Sequence, residues 1–310
     1  MADSQVQDVK DRIDIVDLVS QYVPLKRSGT NHKGLCPFHN ERSPSFMVNA
    51  DRQSFKCFGC GEGGDVLTFL QKMEGLTFPE ALQLLADRVG IQLAKQTLAN
   101  QQEKDEKSQL FRLNAAVSAY FHHALTKSPA GQPALSYLAR RKLLPATIET
   151  FHIGFAPAQS SLVPWLSKQG FRPTDLNQAG HPERFRNRVM FPIRDALGHV
   201  VGFTGRLIED SQDGPKYLNT PETPIFHKSK VVYGLYEAKD AIRRYQAAVL
   251  LEGQMDVILS HQVGVRLAIA SSGTALTAEH VRTIRRYTTK VLVAFDADQA
   301  GQAAIEKALL

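Results

Sequence analysis

The sequence predicts an α/β protein (α+β overall) in which a small cysteine-containing domain precedes a larger mixed domain that ends in a parallel sheet. Three observations predict this arrangement. All three cysteines lie within residues 36–60, a polar segment occupies residues 96–109, and apolar strands alternate with helices from Ala247 onward. A chain of 310 residues has room for about two domains of roughly 150 residues each.

The composition is that of a globular protein. With 43% hydrophobic and 22% charged residues, the chain is neither disordered nor collagen-like. No apolar stretch approaches the roughly 20 residues that span a bilayer, and the polar N-terminal segment lacks the apolar core of a signal peptide. We therefore expect a soluble cytoplasmic protein without a membrane partner. The net charge of +6 permits a nucleic-acid partner without requiring one.

The first domain is expected to span residues 1–95. Apolar residues at helical spacing predict one amphipathic helix over 6–22. Two alternating runs, 45–48 and 54–57, are separated by a short polar turn and predict a β-hairpin.

Two further helices are expected to complete this domain. Asp65 is a candidate N-cap for a helix that runs through Met73. Thr77 and Glu80 have the spacing of a capping box for a helix ending near Val89.

Residues 96–109 are polar and include good helix formers, but they offer no face to bury, so we expect an exposed linker. Residues 110–145 are expected to be helical and 185–235 to mix strands with turns. Two subdomains are expected after the linker, over residues 110–240 and 241–310. Beyond Ala247, continuous apolar strands that alternate with helices predict a parallel sheet covered on both faces.

The cysteines form a metal-ligand pattern. Cys36 and His39 are separated by two residues, as are Cys57 and Cys60, with 17 residues between the pairs. Thiolates with an imidazole suit Zn²⁺, and four protein ligands make the site structural. Buried free cysteines are the alternative, which we disfavour because the motif uses every cysteine. His32 competes with His39 as a ligand, but its spacing is less regular.

The predicted hairpin combines aromatic and basic residues. Aromatic rings beside cations are a common means of binding single-stranded nucleic acid, because bases stack on the rings while phosphates pair with the charges. Packing in the core is an equally weighted interpretation for each ring. The candidate residues for single-stranded DNA are Arg42, Phe46, Arg52, Phe55 and Lys56.

Carboxylates follow two of the predicted parallel strands. Glu252 follows one strand, and Asp296 and Asp298 follow another. Because the carboxyl ends of parallel strands meet at one edge of the sheet, these oxygens are expected to converge there and to bind Mg²⁺ or Mn²⁺. Asp256 could reach the same cluster or cap the next helix.

This Glu-Gly and Asp-x-Asp arrangement resembles the toprim fold. The resemblance implies either metal-assisted phosphoryl transfer or a descendant of the fold that binds without catalysis. Together with CPFHNERSPSF, CFGCGEGGDV, FHIGFAP, NRVMFPIR, GFTGR, PKYLNTPETPIFHKS and EGQMDV, the whole chain resembles the bacterial DnaG-type primases. The resemblance identifies the first domain as the family's zinc ribbon and the rest as the polymerase core with a partial toprim sheet.

The resemblance implies a DNA-directed RNA polymerase that makes short primers on single-stranded DNA for replication, by two-metal-type nucleotidyl transfer. Ribonucleoside triphosphates and the RNA primer are then further partners, and the protein would act at replication forks on the nucleoid. Glu252, Asp296 and Asp298 would bind the catalytic Mg²⁺ or Mn²⁺, with Asp256 in support. The residues in the family's template and nucleotide motifs are Arg141, Arg188, Arg206, Lys216, Tyr217, Asn219 and Lys228.

The sequence departs from the family in three respects. Gln254 stands where an aromatic residue is usual, and Lys142 replaces a glycine that ends a helix, which affects Arg141 beside it. Family members also continue beyond Leu310 with a domain that binds the replicative helicase, so we expect an N-terminal fragment without that contact.

Two alternatives stay open at this point. A toprim nuclease or topoisomerase would cut DNA, although no nucleophilic tyrosine is marked in the sequence. A non-catalytic module would bind single strands through the zinc hairpin and basic groove without turnover.

Overall fold

The computed structural model describes residues 2–93, 98–208, 214–271 and 276–295. The chain divides into two compact units. The first contains residues 1–101 together with 239–247 and 284–290, and the second holds the remaining described residues.

The first unit contains a five-stranded antiparallel sheet with its strands in chain order. The predicted hairpin is confirmed as the third and fourth strands. The strands are β1 (Lys26–Ser28), β2 (Asn31–Gly34), β3 (Phe46–Asn49), β4 (Ser54–Cys57) and β5 (Gly63–Gly64).

Four helices accompany this sheet, where the sequence predicts three. The expected single helix over 6–22 is divided because the Asp14 side chain accepts hydrogen bonds from Val16 N (2.7 Å) and Asp17 N (3.0 Å), which caps a new helix. The helices are α1 (Ala2–Asp11), α2 (Ile15–Ser20), α3 (Val66–Glu74) and α4 (Phe78–Arg88).

The two predicted helix caps are confirmed. Asp65 accepts a hydrogen bond from Thr68 N at 2.9 Å at the start of α3. Glu80 accepts from Thr77 N at 2.7 Å and from the Thr77 hydroxyl at 2.8 Å at the start of α4. These side chains satisfy main-chain donors that a helix N-terminus otherwise leaves free.

The helix α5 (Leu98–Thr126) includes most of the segment that the sequence marks as a linker. Residues 98–109 are thus helical and continuous with the predicted helical region. The boundaries of the domains, including a linker function for 96–109, stay a prediction.

The second unit contains a four-stranded antiparallel sheet in the order β6-β7-β8-β9. Its strands are β6 (Gly154–Ala156), β7 (Arg188–Arg194), β8 (Val200–Leu207) and β9 (Tyr217–Asn219). The accompanying helices are α6 (Gln132–Arg140), α7 (Pro145–Thr150), α8 (Leu162–Lys168) and α9 (Pro173–Gln178), with 3₁₀ turns at Pro129–Gly131 and Pro182–Arg184.

The predicted parallel sheet is also confirmed. Its strand order is β11-β10-β12, and both neighbouring pairs run parallel. The elements are α10 (Leu235–Tyr245), β10 (Ala248–Leu251), α11 (Gln254–Gln262), β11 (Ala268–Ala270), α12 (Ala278–Arg285) and β12 (Val291–Val293). The helix expected after Asp298 lies outside the described residues.

Among the helices that the structure describes, none combines the length and the apolar character needed to cross a bilayer.

Candidate functional site

The four predicted zinc ligands converge. One ligand atom from each of Cys36, His39, Cys57 and Cys60 lies within 4.8 Å of the other three. Cys36 follows β2 and Cys57 is the last residue of β4, so neighbouring parts of the antiparallel sheet bring the two pairs together. His32, the alternative ligand, is not among the converging residues.

The distances between these atoms fit a tetrahedral zinc ion. Cys36 Sγ lies 3.8 Å from Cys60 Sγ, and Cys57 Sγ lies 3.8 Å from His39 Nδ1. With Zn–S bonds of about 2.3 Å, sulfur atoms at the corners of a tetrahedron are about 3.8 Å apart. The residues present therefore fit a structural zinc ion held through the Nδ1 atom of the histidine.

Glu41, which the sequence analysis did not select, supports this cluster. Its carboxylate accepts hydrogen bonds from Cys36 N (2.8 Å), Ser45 N (3.0 Å) and the Ser45 hydroxyl (2.5 Å). The same carboxylate lies 3.3 Å from His39 Nε2, the ring nitrogen on the far side from the thiolates. A carboxylate in this position fixes the orientation of a metal-binding imidazole.

The prediction that Phe46 and Phe55 contact single-stranded DNA is wrong. The two rings are 0% and 3% exposed and stack on each other with centroids 5.3 Å apart. The strand register explains this: Phe46 pairs with Cys57 and Val48 with Phe55, so all four side chains lie on one face of the hairpin. That face packs in the core against the rings of Phe38 and Phe69.

The opposite face of the same sheet is exposed and basic. Successive strands pair Lys26 with Lys33, Lys33 with Met47, and Met47 with Lys56. The three lysines are exposed and Met47 is half-buried. The candidate cations Arg42 and Arg52 are also exposed.

An exposed aromatic ring does occur beside the zinc ligands, but it is Phe58. Its side chain is 75% exposed, between Cys57 and Cys60. The two cysteines on either side of it direct their sulfur atoms to the ligand cluster, and Phe58 lies in the turn between them. Phe58 replaces the two hairpin phenylalanines as the candidate stacking residue of this unit.

The carboxylate edge of the parallel sheet is described in part. Glu252 directly follows β10 and is half-buried, and Asp256 is exposed in the first turn of α11. A Cβ added at Gly253 would lie 3.1 Å from Asp256 Oδ2, so the Asp256 carboxylate folds back over the start of its helix. Asp296 and Asp298 lie outside the described residues, and their convergence with Glu252 stays a prediction.

The basic candidates divide between the two faces of the antiparallel sheet. Arg206 pairs with Tyr217 and Thr204 pairs with Asn219 across β8 and β9, so these four side chains share one face. The Arg206 guanidinium lies 5.2 Å from the centroid of Tyr217 and 5.4 Å from that of Tyr137. The structure thus brings Arg206, Tyr217 and Asn219 together.

Arg188 lies on the opposite face, and its expected role requires correction. The side chain is buried, with 5% exposed. Its guanidinium donates to the carbonyl oxygens of Gly205 (3.1 Å), Pro215 (2.8 Å) and Lys216 (3.3 Å). These donors hold the main chain that carries Lys216, so the buried guanidinium of Arg188 stabilises this segment.

The remaining basic candidates differ in their exposure. Lys216 is exposed and Lys228 half-buried. Arg141 is exposed, with its guanidinium 5.7 Å from the Tyr137 ring.

Lys142 adopts the left-handed conformation, with φ of 65°, that the usual glycine would take. Leu143 N and Lys142 N donate to Leu138 O and Ala139 O, which is the hydrogen-bond pattern of a Schellman helix end. The helix end beside Arg141 is therefore retained despite the substitution.

A polar contact joins this face to the carboxylate edge. Gln254, the residue that departs from the family pattern, donates from Nε2 to Thr204 Oγ1 at 3.0 Å. Thr204 in turn donates to Asn219 Oδ1 at 2.6 Å. Sequence reasoning noted Gln254 but could not find Thr204 as its partner, because the pairing spans 50 residues of chain.

Comparison with known families and proteins agrees with this geometry. Residues 1–101 match the CHC2 zinc finger family, residues 120–239 match the N-terminal domain of the DNA primase catalytic core, and residues 249–309 match the Toprim-like family. The chain is 42% identical to the DNA primase of Halalkalibacterium halodurans over 96% of its length and 51% of that protein. It is 40% identical to the DNA primase of Listeria monocytogenes over 98% of its length and 51% of that protein. The chain thus spans about half the length of these curated relatives.

Solved structures show the same likeness. The zinc-binding and RNA polymerase domains of the Aquifex aeolicus primase match 98% of this chain and 75% of that chain, with 33% identity and a TM-score of 0.61. A DnaG primase catalytic domain bound to single-stranded DNA matches 66% of this chain and 67% of that chain, with 39% identity and a TM-score of 0.60. The converging Cys₃His cluster, the parallel sheet with Glu252 after β10 and the similarity to these relatives together show that the chain belongs to the DnaG-type primase family.

Proposed function

We propose that this chain performs template-directed nucleotidyl transfer, joining ribonucleotides into short RNA primers on single-stranded DNA. One observation carries the proposal: the hydrogen bond from Gln254 to Thr204 holds the loop after Glu252 against the sheet face that bears Arg206, Tyr217 and Asn219. Carboxylates for a divalent cation and groups that recognise phosphates and bases thereby lie beside one another.

Each group has a distinct part in this proposal. Glu252 and Asp256, with Asp296 and Asp298, would hold Mg²⁺ or Mn²⁺ in two-metal fashion. The bound cations supply electrostatic stabilisation of the charge that develops on the transferred phosphate. Arg206 contributes a fixed positive charge, because Tyr217 and Tyr137 hold its guanidinium from two sides.

Tyr217 and Asn219 would contact the nucleic acid or the nucleotide directly. The Tyr217 ring is 40% exposed and can stack on a base. Lys216, Lys228 and Arg141 would add charge around the groove, which makes template affinity fall as salt rises.

We also propose that the first unit holds a structural zinc ion on Cys36, His39, Cys57 and Cys60, and that it binds template DNA. The lysines of its exposed sheet face, with Arg42, Arg52 and the ring of Phe58, supply phosphate and base contacts. The structure of a related primase catalytic domain bound to single-stranded DNA supports template binding by the catalytic part of this chain, outside the first unit.

The cellular setting follows from this function. We expect the protein to act in the cytoplasm at replication forks. Contact with the replicative helicase is expected through the family's C-terminal domain and not through these residues.

A synthesis assay tests the proposal. The chain is incubated with single-stranded DNA, the four ribonucleoside triphosphates and Mg²⁺ or Mn²⁺, and labelled oligoribonucleotides are resolved by size. We expect the wild-type chain to synthesise oligoribonucleotides and to stop when EDTA is added. The variants Glu252→Gln and Asp296→Ala should lose this synthesis and retain DNA binding. Glu279→Gln, which changes a half-buried carboxylate on α12 that pairs with Arg282, is the control and should synthesise normally.

Three outcomes contradict the proposal. Unchanged synthesis by Glu252→Gln or Asp296→Ala removes the metal-site assignment. Metal-dependent nicking or relaxation of DNA favours a toprim nuclease or topoisomerase. No nucleotide incorporation with Mg²⁺ or Mn²⁺ present, together with DNA binding that persists in EDTA, favours a non-catalytic module.

A further inference from the structure

Three polar side chains form a directed chain of hydrogen bonds in the second unit. Gln254 Nε2 donates to Thr204 Oγ1 at 3.0 Å, and Thr204 Oγ1 donates to Asn219 Oδ1 at 2.6 Å. Gln254 is 6% exposed and Thr204 is 1% exposed. Hydrogen bonds in such a shielded position are stronger than in water, and leaving either partner unpaired is costly.

The direction of the bonds fixes the amide of Asn219. A hydroxyl group has a single proton to donate, and Thr204 gives it to Asn219 Oδ1. A lone pair of the Thr204 oxygen accepts from Gln254, and Asn219 presents its carbonyl oxygen to the Thr204 proton. The Nδ2 group of Asn219, with two N–H donors, is then directed away from Thr204.

Asn219 is placed to use those donors. It is half-buried at the end of β9, on the same sheet face as the 40% exposed Tyr217. Its own carbonyl oxygen accepts a hydrogen bond from Arg184 Nη2 at 2.5 Å, which fixes the main chain at this point. Both the backbone and the side chain of Asn219 are thus held in one orientation.

Gln254 also connects this amide to the carboxylate edge. It is the first residue of α11, two positions after Glu252 and two before Asp256. Movement of the loop that carries Glu252 would therefore break the bond to Thr204 and release the Asn219 amide.

We infer that Gln254 is a positioning residue that acts through Thr204 to hold the Asn219 amide with its N–H donors toward a phosphate oxygen of the ligand. The inference rests on the proposed function, because that function supplies the ligand. The phosphate belongs either to the triphosphate of the incoming nucleotide or to the DNA template, and the two arms of the test separate these sources.

The test uses binding and not synthesis alone. Dissociation constants are measured for a fluorescent single-stranded oligodeoxynucleotide by anisotropy, and for ATP with Mn²⁺ by calorimetry. The variants are Gln254→Leu, Thr204→Val, Thr204→Ser and the double variant Gln254→Leu/Thr204→Val, with thermal unfolding of each measured in parallel. Gln83→Leu and Thr126→Val are matched controls. The Gln83 side chain donates to Asp87 and the Thr126 hydroxyl donates to the His122 carbonyl, and both bonds are far along the chain from Gln254, Thr204 and Asn219.

We expect Gln254→Leu and Thr204→Val each to weaken the binding of one of the two ligands. The dissociation constant should rise roughly threefold to tenfold, the loss associated with one hydrogen bond. The double variant should be no weaker than the worse single variant, because both changes break one path. Thr204→Ser, which retains the hydroxyl, should restore the wild-type constant. Weakening of ATP binding alone assigns the triphosphate, and weakening of DNA binding alone assigns the template.

Failure of the inference is distinguishable from failure of the proposed function. If the wild-type chain binds neither ligand, the proposed function is wrong. If the wild type binds and both single variants bind equally well, or if their effects add, Gln254 does not act through Thr204. If Thr204→Ser binds as weakly as Thr204→Val, the hydroxyl is not the connecting group.

Discussion

The hydroxyl of Tyr217 accepts a hydrogen bond from Arg206 Nη1 at 2.5 Å, while the Tyr217 ring lies over the same guanidinium at 5.2 Å. The tyrosine is 40% exposed and the arginine 7%. A buried cation thus lies beneath an accessible aromatic ring, and a base stacked on that ring would be held close to the positive charge.

We predict that Tyr217→Ala weakens binding of single-stranded DNA by roughly fivefold or more, because a base loses its stacking surface. Tyr217→Phe should bind within about twofold of wild type, since the ring is retained. Fluorescence anisotropy with a labelled oligonucleotide measures both. Tyr245→Ala removes an exposed tyrosine of α10 and should not change the affinity; equal losses from Tyr245→Ala and Tyr217→Ala would contradict this assignment.

We predict that Phe58→Ala weakens binding of single-stranded DNA to a similar degree, and that it leaves the zinc content unchanged. Phe58 is 75% exposed and stands between two zinc ligands without packing in the core. Leu35→Ala, which shortens another exposed apolar side chain next to the zinc ligand Cys36, is the control. A normal affinity in Phe58→Ala would leave the lysines of the sheet face as the DNA contacts of this unit.

We predict that Glu41→Gln weakens zinc retention by about 10- to 100-fold, the usual cost of losing a group that orients a metal ligand. The carboxylate joins Cys36 N, Ser45 and His39. Competition with a chromophoric chelator measures the affinity. Glu62→Gln removes a surface ion pair with Lys72 and should retain zinc as the wild type does. If Glu41→Gln retains zinc as well as Glu62→Gln, Glu41 does not orient the zinc ligand.

We predict that Lys142→Gly stabilises the protein by about 1 kcal/mol, because a left-handed conformation costs a side-chain-bearing residue about that much. Lys142 has φ of 65° at the end of α6. Thermal unfolding should show a higher midpoint. Lys168→Gly, within the last turn of α8, should lower the midpoint instead, and a lower midpoint in both variants would show that the Lys142 side chain itself is stabilising.

We predict that His152 makes the protein less stable in mild acid. Burial, with repulsion from His122 and Arg194, lowers the pKa of His152 to about 4, against about 6.5 in an unfolded chain. Between these values the unfolded state binds more protons, so stability is complete above about pH 6.5 and falls as the pH drops toward 4.

The variant His152→Asn should lose less stability than the wild type between pH 7 and pH 5. Asparagine tolerates the left-handed backbone at this site, where φ is 51°, and its amide can replace the hydrogen bond to the Ser118 hydroxyl. Melting temperatures at the two pH values give the comparison. His181→Asn, at an exposed left-handed position, should follow the wild-type pH profile; the same relief in both variants would exclude His152 as the cause.

The local features of this protein were determined by its sequence. The CxxH and CxxC spacings identified all four zinc ligands. Asp65 and Glu80 capped the helices expected of them, and apolar runs of strand length gave β10, β11 and β12. Each of these depends on residues a few positions apart, so short-range rules suffice.

Only the tertiary structure decided which side of each sheet a residue faces. Strand register buried both hairpin phenylalanines and set Arg188 and Arg206 on opposite faces, although the sequence predicts both to contact the template or nucleotide. A shift of one residue would reverse every such assignment, and composition does not fix the register. The contact between Gln254 and Thr204 likewise exists because two separate sheets pack in one unit, since the free energy that joins residues 50 positions apart comes from packing and not from local preference.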